Sequence, residues 1–329
     1  MKMTGGTFWK GPEVDVICGG DSPEREVSLS SGTAVHEALL EAGFRSRRVE
    51  VFSKEDTLKK VTDSQADVFF VALHGGWGED GRLQATLEFF GKHYTGSGPK
   101  ACACAMDKIV SKALFHQAGV PTPPAVFFHK GSREMPPSEI GGILDTWGKL
   151  VVKPAGCGST VGVSILDEPG GFGKAFEEAL AYDESVVLEK FVPGKEITVT
   201  VWQDEKATRA LPAVEIRPKK GFYTYEAKYV PGTTEYFCPA PMDQKTASAV
   251  AEAAVAAHRA LGCRIYSRVD LRLSPEGHPF VLEVNTAPGM TATSLVPKAA
   301  AASGWSFAEL CDRIVSGSVA AVKRGAPLF

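Results

Sequence analysis

The chain has 329 residues, of which 44% are hydrophobic and 23% charged, a balance that is ordinary for a soluble globular enzyme with two or three domains. Its formal net charge of −3 argues against a broad electrostatic contact with nucleic acid or an anionic membrane. No apolar run approaches the roughly 18 to 20 residues of a membrane-spanning helix, and the first residues lack the pattern of a signal peptide. We therefore expect a cytoplasmic protein with no membrane and no nucleic-acid partner.

Seven cysteines, an odd count, are scattered along the chain. Cys102 and Cys104 lie close in sequence, but neither a second pair nor a histidine cluster completes a zinc spacing around them. Reduced thiols in a cytosolic protein are the expected state.

Strands and helices alternate over the first hundred residues. The run VDVICGG (14–20) is typical of a buried strand that ends in glycines, and DVFFVALHGG (67–76) of a second, nearly continuous apolar strand. Helical spacing follows each strand, at 28–42 and at 80–91. The pattern predicts a parallel α/β unit, whose ligands are expected at the carboxyl ends of the strands.

From residue 101 onward the pattern consists mostly of strands. A predicted helix over 101–118 leads into a proline cluster at 120–124, which is a candidate domain boundary. The rest of the chain is expected to form an α+β arrangement with antiparallel sheet. The predicted strands cover 125–130, 149–156, 161–167, 185–192 and 196–202, and the predicted helices cover 172–182, 246–261 and 306–322.

The segment RVDLRLSPEGHPFVLEVNT (268–286) has the alternation of a hairpin whose two faces differ. If its strands pair across the turn near Glu276 and Gly277, Asp270 lies opposite residue 281 or 283. The polar face then carries Arg268, Asp270, Glu283 and Asn285. The core face carries Val269, Leu271, Leu273, Phe280, Leu282 and Val284.

This polar face predicts a metal site. Two carboxylates and an amide oxygen, with few direct cationic neighbours, are oxygen ligands of the kind that Mg²⁺ prefers beside phosphates. Arg268 next to them suits a phosphate or a developing oxyanion. The alternative interpretation is a solvated face with an Arg–carboxylate pair.

Other segments suggest a nucleotide. KPAGCGSTVGVSI (153–165) is a lysine at a strand end followed by a loop rich in glycine and hydroxyl groups, which can approach phosphate oxygens. It lacks the Walker order, and an ordinary β-turn is the alternative. In LEKFVPGKEITV (188–199), Glu189 and Glu196 suit ribose hydroxyls or an adenine amino group, and Phe191 could pack on the base. Taken alone, this segment and Lys108 at a helix start are more often ordinary surface features.

Together these segments resemble the ATP-grasp superfamily and, within it, the D-alanine–D-alanine ligase family. The resemblance covers nearly the whole chain, and its motifs follow the expected order. They are GGDSPEREVSLSSG (19–32), ALHGGWGEDG (72–81), YTGSG (94–98), MDK (106–108), VVKPAGCGSTVG (151–162), YEAKY (225–229), RVD (268–270), EVNTAPGMT (283–291) and TSLVP (293–297).

The resemblance implies a fold that is α/β and α+β. An N-terminal parallel α/β (pre-ATP-grasp) substrate domain is expected over 1–100, and a two-lobed ATP-grasp domain with antiparallel sheets is expected to follow. Its central lobe spans 101–195, and its C-terminal lobe, with the metal site and a lid loop at 221–236, spans 196–329.

The resemblance also implies the chemistry. In that family ATP phosphorylates the carboxylate of one D-alanine to an acyl phosphate, and the amine of a second D-alanine attacks it, which supplies a precursor of the bacterial cell wall. ATP and two Mg²⁺ ions, for which Mn²⁺ can substitute, are the implied cofactors. The implied partners are small-molecule substrates and a second copy of the chain in a homodimer.

Residue roles are carried over position by position. The implied metal ligands are Asp270, Glu283 and Asn285. The implied ATP contacts are Lys108, Lys153, Ser159, Thr160, Glu189, Lys190, Phe191, Val192, Glu196, Phe222 and Asn285. The implied catalytic residues are Glu24, Ser159, Tyr229, Arg268, Gly289 and Ser294. The implied substrate contacts are Glu24, His74, Lys228, Tyr229, Arg268, Gly289, Ser294 and Leu295.

Several alternatives stay open. Relatives of the family use D-serine or D-lactate as second substrate, and Tyr229, where depsipeptide-forming relatives often carry histidine, favours D-alanine. Another ATP-grasp enzyme and a non-catalytic module are further candidates, although the intact metal set argues against the module. A dinucleotide-binding dehydrogenase is disfavoured because GGDSPE (19–24) does not match GxGxxG. Cys157 stands in the phosphate loop, where many relatives carry charged residues, and predicts thiol sensitivity.

Overall fold

The computed structural model describes residues 3–4, 7–8, 10–132, 135–158, 160–219 and 232–323. The site residues Ser159, Phe222, Lys228 and Tyr229, and most of the lid predicted over 221–236, lie outside the described residues.

The N-terminal part of the chain forms a parallel sheet, as predicted. Its elements in chain order are β1 (Met3–Thr4), β2 (Thr7–Phe8), β3 (Glu13–Gly19), α1 (Arg25–Glu41), β4 (Arg45–Val51), α2 (Lys54–Asp63), β5 (Val68–Val71), α3 (Arg82–Phe89) and β6 (His93–Tyr94). The order β4-β3-β5-β6 is parallel throughout, and β1 and β2 pair separately. Every residue of β5 is buried, which explains its continuous apolar run.

The helix predicted over 101–118 is wrong as a single element. The structure has α4 (Pro99–Met106) and α5 (Lys108–Gln117), with a break at Asp107. Asp107 has an extended backbone, and its Oδ1 accepts hydrogen bonds from the backbone nitrogens of Ile109 (2.8 Å) and Val110 (3.1 Å). An N-cap aspartate thus starts a second helix, and Lys108 becomes its first residue.

An antiparallel sheet forms the central part of the chain. Its elements are β7 (Ala125–His129), α6 (Pro137–Trp147), β8 (Leu150–Pro154), β9 (Ser164–Leu166), α7 (Phe172–Leu180) and β10 (Ser185–Lys190). The strand order is β7-β10-β8-β9, with antiparallel neighbours. The sequence patterns did not indicate α6, although Ile140, Ile143, Leu144 and Trp147 follow helical spacing and pack against this sheet.

A larger antiparallel sheet forms the C-terminal part. Its strands are β11 (Lys195–Gln203), β12 (Thr208–Ala210), β13 (Val214–Pro218), β14 (Thr234–Phe237), β15 (Tyr266–Leu273) and β16 (Pro279–Asn285), and α8 (Gln244–Ala260) covers one face. The order is β14-β13-β11-β15-β16, and β12 pairs with β11. Val250, Ala254, Ala257 and Leu261 are buried together, as their predicted common face requires.

The last two helices connect the C-terminal sheet to the N-terminal sheet. They are α9 (Leu295–Ala302) and α10 (Phe307–Lys323). Leu310 and Ile314 of α10 belong to one buried cluster with Val14 and Val35 near the other end of the chain. The start of α1 is thereby held close to α9. In the part of the chain that the structure describes, no helix has the length and apolar character to cross a membrane.

Candidate active site

The hairpin of β15 and β16 brings the polar residues together in the predicted pairing. Arg268 lies opposite Asn285, and Asp270 lies opposite Glu283. Beyond Asp270 the register shifts, so that Leu271 pairs with Val281 and Leu282 is the extra residue of a β-bulge. The prediction that Phe280 and Leu282 face the core is wrong. The bulge turns Leu282 toward a cavity on the polar side, pairs Phe280 with Arg272, and puts Val281 in the core instead.

Asp270 is held by three neighbouring side chains. It accepts hydrogen bonds from Arg268 Nε (3.0 Å) and Nη2 (2.7 Å), Thr198 Oγ1 (2.5 Å) and Asn285 Nδ2 (3.1 Å). The expectation of few direct cationic neighbours is therefore wrong for Asp270, since Arg268 lies two residues away on the same face. Asn285 uses its amide nitrogen toward Asp270, so Oδ1 is the atom that it can offer to a cation.

The donor set fits a magnesium–nucleotide complex better than a metal held by protein alone. Asp270, Glu283 and Asn285 supply two carboxylates and an amide oxygen, and Mg²⁺ commonly completes such a set with phosphate oxygens and water. Among the described residues, no group of three His, Cys, Asp or Glu side chains converges as a metal site. Lys108 Nζ lies 3.4 Å from Glu283 Oε2, which places an ammonium group suited to a phosphate beside the carboxylates.

A cavity of about 150 Å³ lies between the central and C-terminal sheets. Its walls bring together most of the predicted nucleotide contacts that the structure describes. Its lining includes Lys108, Lys153, Thr160, Glu189, Lys190, Phe191, Val192, Glu196, Asp270, Leu282 and Glu283. The two lobes therefore meet around a site of the kind predicted for a nucleotide.

A buried ion-pair cluster forms the back of this cavity. Glu189 Oε1 accepts a hydrogen bond from Lys153, and Lys112 Nζ lies 2.9 Å from Glu189 Oε2. Burial opposes ionisation of Glu189, but the two ammonium groups outweigh it and lower the pKa of this carboxyl below its ordinary value. The carboxylate therefore stays charged. Local sequence patterns give no sign of a role for Lys112, although it lies four residues after Lys108 on the same helix.

The turn between β10 and β11 is braced by an arginine. Arg272 Nε donates to the carbonyl of Val192 (3.1 Å), Nη2 donates to that of Gly194 (2.7 Å), and Nη1 lies 3.5 Å from Glu196 Oε2. Its guanidinium also lies 5.9 Å from the ring centroid of Phe191. One side chain thus holds the segment that lines the cavity, a role that the sequence patterns did not suggest.

The predicted phosphate loop is held at its base by two hydrogen bonds. The backbone nitrogen of Gly156 donates to Asp183 Oδ2 (2.7 Å), and Lys108 Nζ donates to the carbonyl of Cys157 (2.7 Å). A Cβ at Gly156 would lie 2.6 Å from that aspartate oxygen, so glycine allows the close approach. Thr160 follows with φ +63°, which bends the loop sharply.

A second cavity, of about 440 Å³, opens between α1, the C-terminal sheet and α9. The predicted substrate residues within the described chain all line it, although they come from distant segments. They are Glu24, His74, Arg268, Gly289, Ser294 and Leu295, and Asp270, Glu283 and Asn285 border the same space.

His74 is fixed within this cavity by its neighbours. Its Nε2 lies 2.9 Å from Ser31 Oγ, and its Nδ1 lies 3.0 Å from the carbonyl of Ala287 and 3.5 Å from Glu79 Oε1. Burial raises the pKa of Glu79 above its ordinary value, with His74 acting in the opposite direction. Glu79 belongs to the ALHGGWGEDG motif but was not predicted as a site residue.

The N-terminus of α9 faces the cavity. Ser294 is the N-cap, and its Oγ accepts from the backbone nitrogen of Thr291 (3.0 Å). A Cβ at Gly289 would lie 3.0 Å from Ser294 Oγ, so the Gly289 backbone runs close to the cap. Backbone N–H groups at a helix start favour an anion such as a carboxylate.

Comparisons with known proteins agree with this geometry. A family model described as "D-ala D-ala ligase N-terminus" matches residues 41–97, and one described as "D-ala D-ala ligase C-terminus" matches residues 114–316. A D-alanine--D-alanine ligase of Anaeromyxobacter sp. (strain Fw109-5) is 46% identical over 316 residues, which cover 94% of this chain and 98% of the relative. One of Bordetella petrii is 43% identical, with 92% and 91% covered.

Solved structures share the fold. D-alanine--D-alanine ligase from Bacillus anthracis superposes with a TM-score of 0.83 at 34% identity, covering 95% of this chain and 99% of that one. VanG D-Ala:D-Ser ligase from Enterococcus faecalis superposes with a TM-score of 0.80 at 29% identity, covering 94% and 100%.

The two antiparallel lobes around a cavity lined by the predicted nucleotide contacts, packed on a parallel N-terminal unit, are those of an ATP-grasp enzyme. The two family models together match most of the chain, and so does a relative that is 46% identical. The chain belongs to the D-alanine–D-alanine ligase family, and it is an ATP-dependent ligase that uses a divalent metal.

Proposed function

We propose that the chain joins two D-alanines to D-alanyl-D-alanine and converts one ATP to ADP and phosphate, as part of peptidoglycan precursor synthesis. One observation carries this proposal: Asp270 and Glu283 line both cavities. These carboxylates would hold a divalent cation, which would neutralise charge where nucleotide phosphates and a substrate carboxylate come together. That juxtaposition is what carboxylate activation by ATP requires.

In the first step, a carboxylate oxygen of one D-alanine attacks the γ-phosphorus of ATP, and ADP leaves. We assign Glu24 as the acceptor of the substrate's ammonium, with His74 beside it, because both line the substrate cavity. Lys108 and Lys153 are assigned to the phosphates, since both line the nucleotide cavity. Two Mg²⁺ ions, or Mn²⁺ in their place, would neutralise the phosphate charge when held by Asp270, Glu283 and Asn285.

In the second step, the amine of the second D-alanine attacks the acyl carbon, and phosphate leaves with the former carboxylate oxygen. We assign Arg268 and the backbone N–H of Gly289 to the oxyanion, because both line the substrate cavity beside the carboxylates. Ser294 and Leu295, at the start of α9, are assigned to the second carboxylate. Ser159, Lys228 and Tyr229 stay predictions from the family motifs.

The adenosine assignment is supported by a buried carboxylate in the wall of the cavity. Glu189 lines the nucleotide cavity, and its Oε2 lies 2.9 Å from Lys112 Nζ. A carboxylate oxygen can accept a second hydrogen bond, which an adenine amino group in the same cavity would supply. Phe191 and the backbone of Lys190 and Val192 are assigned to the base, and Glu196 to the ribose. Phe222 and Thr160 keep their predicted roles as ATP contacts.

D-Serine as second substrate is the alternative, because a D-Ala:D-Ser ligase shares the fold at a TM-score of 0.80. The higher identity to relatives named as D-alanine--D-alanine ligases favours D-alanine. We also propose a homodimer in the cytoplasm, where ATP is available, with the domain division 1–100, 101–195 and 196–329.

A phosphate-release assay with ATP and Mg²⁺ tests this function. The enzyme is given D-alanine, D-serine, D-lactate, pairs of these with D-alanine, or L-alanine. We expect fast release with D-alanine alone and the dipeptide as the product by mass spectrometry. Release that needs D-serine or D-lactate would support the alternative, and release unaffected by any D-amino acid would refute the ligase assignment.

A further inference from the structure

Lys112 is a cation for which the proposed mechanism has no use, and it is one of the most buried charges among the described residues. It lies on α5 with a side chain 4% exposed, and it reaches Glu189, whose side chain is also 4% exposed. Burial lowers the pKa of Lys112, against the opposing effect of Glu189. A lysine this costly to bury needs a reason.

The arrangement is one carboxylate between two ammonium groups. Lys153 comes from β8, on the cavity side, and donates to Glu189 Oε1. Lys112 comes from α5, and its Nζ donates hydrogen bonds to Thr122 Oγ1 (2.9 Å) and to the carbonyl of Pro123 (2.8 Å). Its third close contact is the ion pair with Glu189 Oε2 at 2.9 Å.

The two lysines differ in what else they can reach. Lys153 lines the nucleotide cavity, whereas Lys112 does not. If Lys153 were the single counter-ion, its turning toward a phosphate would leave the buried Glu189 carboxylate unpaired. An unpaired buried charge is strongly unfavourable. A second, permanently placed ammonium removes that penalty, since Glu189 stays paired whatever Lys153 contacts.

We propose that Lys112 is a positioning residue for ATP: it balances the charge of Glu189 and so frees Lys153 to bind the phosphates. This inference rests on the proposed function of the cavity. Lys112 touches no substrate itself and acts through Glu189. Its loss should therefore weaken ATP binding while leaving the chemistry and the D-alanine sites almost unchanged.

The variants Lys112→Met and Lys112→Arg test this, with KM for ATP, KM for D-alanine and kcat measured by phosphate release. We expect K112M to raise the KM for ATP about tenfold or more, because Lys153 is then held by Glu189. The kcat and the KM for D-alanine should change less than about threefold, and K112R, which keeps the charge, should restore most of the ATP affinity.

A second comparison separates this role from bracing of the 120–124 segment. In a Glu189→Gln background the buried charge is gone, so adding K112M should change the KM for ATP less than about twofold. If K112M alone does not fold, this double variant, which has no unpaired buried carboxylate, is compared with E189Q. Thr122→Val, which removes one hydrogen bond of Lys112 but no charge, should leave the KM for ATP unchanged.

Two results would overturn the inference. One is a rise in the KM for ATP by the same factor when K112M is added to the unsubstituted enzyme and when it is added to E189Q. The other is a loss of thermal stability in K112M with an unchanged KM for ATP. Because the unsubstituted enzyme is assayed in parallel, its failure to release phosphate with D-alanine would refute the proposed function separately.

Discussion

Asp270 and Glu283 lie directly opposite each other on adjacent antiparallel strands, at the point where the register of the ladder shifts. The bulge at this point inserts Leu282 between this pair and the next pair of the ladder, Leu271 and Val281. The carboxylates face the junction of the two cavities, whereas Leu271 and Val281 pack in the core. The register shift also adds Leu282 to the nucleotide side.

The first prediction concerns Asp270. Replacing it with asparagine keeps the size of the side chain but removes the charge that a divalent cation needs, so we expect kcat to fall about 10²- to 10³-fold or more. The fold should survive, because the amide oxygen can still accept from Arg268 and Thr198, and Asn285 can turn its own amide so that its oxygen accepts from the new NH2 group. Phosphate release and circular dichroism measure the two effects. Asp145→Asn, on an exposed position of α6, is the control and should be fully active.

The second prediction tests the bulge. Leu282→Ala should raise the KM for ATP roughly tenfold, because it removes apolar contact from the nucleotide cavity, with little loss of stability. Val281→Ala, its fully buried neighbour, should instead cost about 2 kcal/mol of unfolding free energy with a normal KM for ATP. Urea unfolding and ATP kinetics on both variants measure this contrast. A large loss of stability in Leu282→Ala together with a raised KM for ATP in Val281→Ala would contradict the register.

The third prediction concerns Arg272. Arg272→Met removes the donors to Val192 and Gly194 and the charge near Glu196, so the turn that lines the cavity should loosen. We expect a higher KM for ATP and weaker discrimination against 2′-deoxy-ATP, because Glu196 is assigned to the ribose. Kinetics with both nucleotides measure the ratio. If the variant prefers ATP over 2′-deoxy-ATP as strongly as the unsubstituted enzyme does, Arg272 has no part in ribose recognition.

The fourth prediction concerns stability and pH. Burial lowers the pKa of His258 to about 4 from 6.5, while its ring contacts Ser267 and Gln203. Between those values the unfolded chain binds a proton that the folded chain does not, so stability falls as the pH drops from about 6.5 toward 4. The loss amounts to roughly 3 kcal/mol at most. The unfolding free energy, measured in urea, should differ less between pH 7 and pH 5 for His258→Gln than for the unsubstituted protein.

The local chemistry of the site could be predicted from sequence because it follows short patterns. Alternation around Arg268 and Asp270 was enough to place four polar residues on one face, and the parallel and antiparallel sheets followed from strand composition. The break at Asp107 could have been foreseen, since an aspartate one residue before the start of a helix is a common cap. The bulge could not, because the extra residue at Leu282 is set by packing of Val281 and Val284 against α8.

The residues that the sequence patterns did not indicate act through contacts with segments that are distant in the chain. Lys112, Glu79 and Arg272 each owe their role to a contact with another segment, and nothing in the local pattern distinguishes them from surface charges. The helix α10 itself was predicted, but its packing against α1, near the other end of the chain, was not. Such contacts depend on tertiary packing, which periodicity alone does not contain.

In the proposed mechanism, ATP activates a carboxylate at the junction of the two cavities. The most direct test uses D-alanine with both carboxylate oxygens replaced by oxygen-18 and follows the label by mass spectrometry. If the first carboxylate attacks the γ-phosphorus, the released phosphate carries one labelled oxygen and the dipeptide keeps three. The two D-alanines together bring four labelled oxygens to the reaction. If none of them is found in the released phosphate, the proposed attack on the γ-phosphorus is wrong.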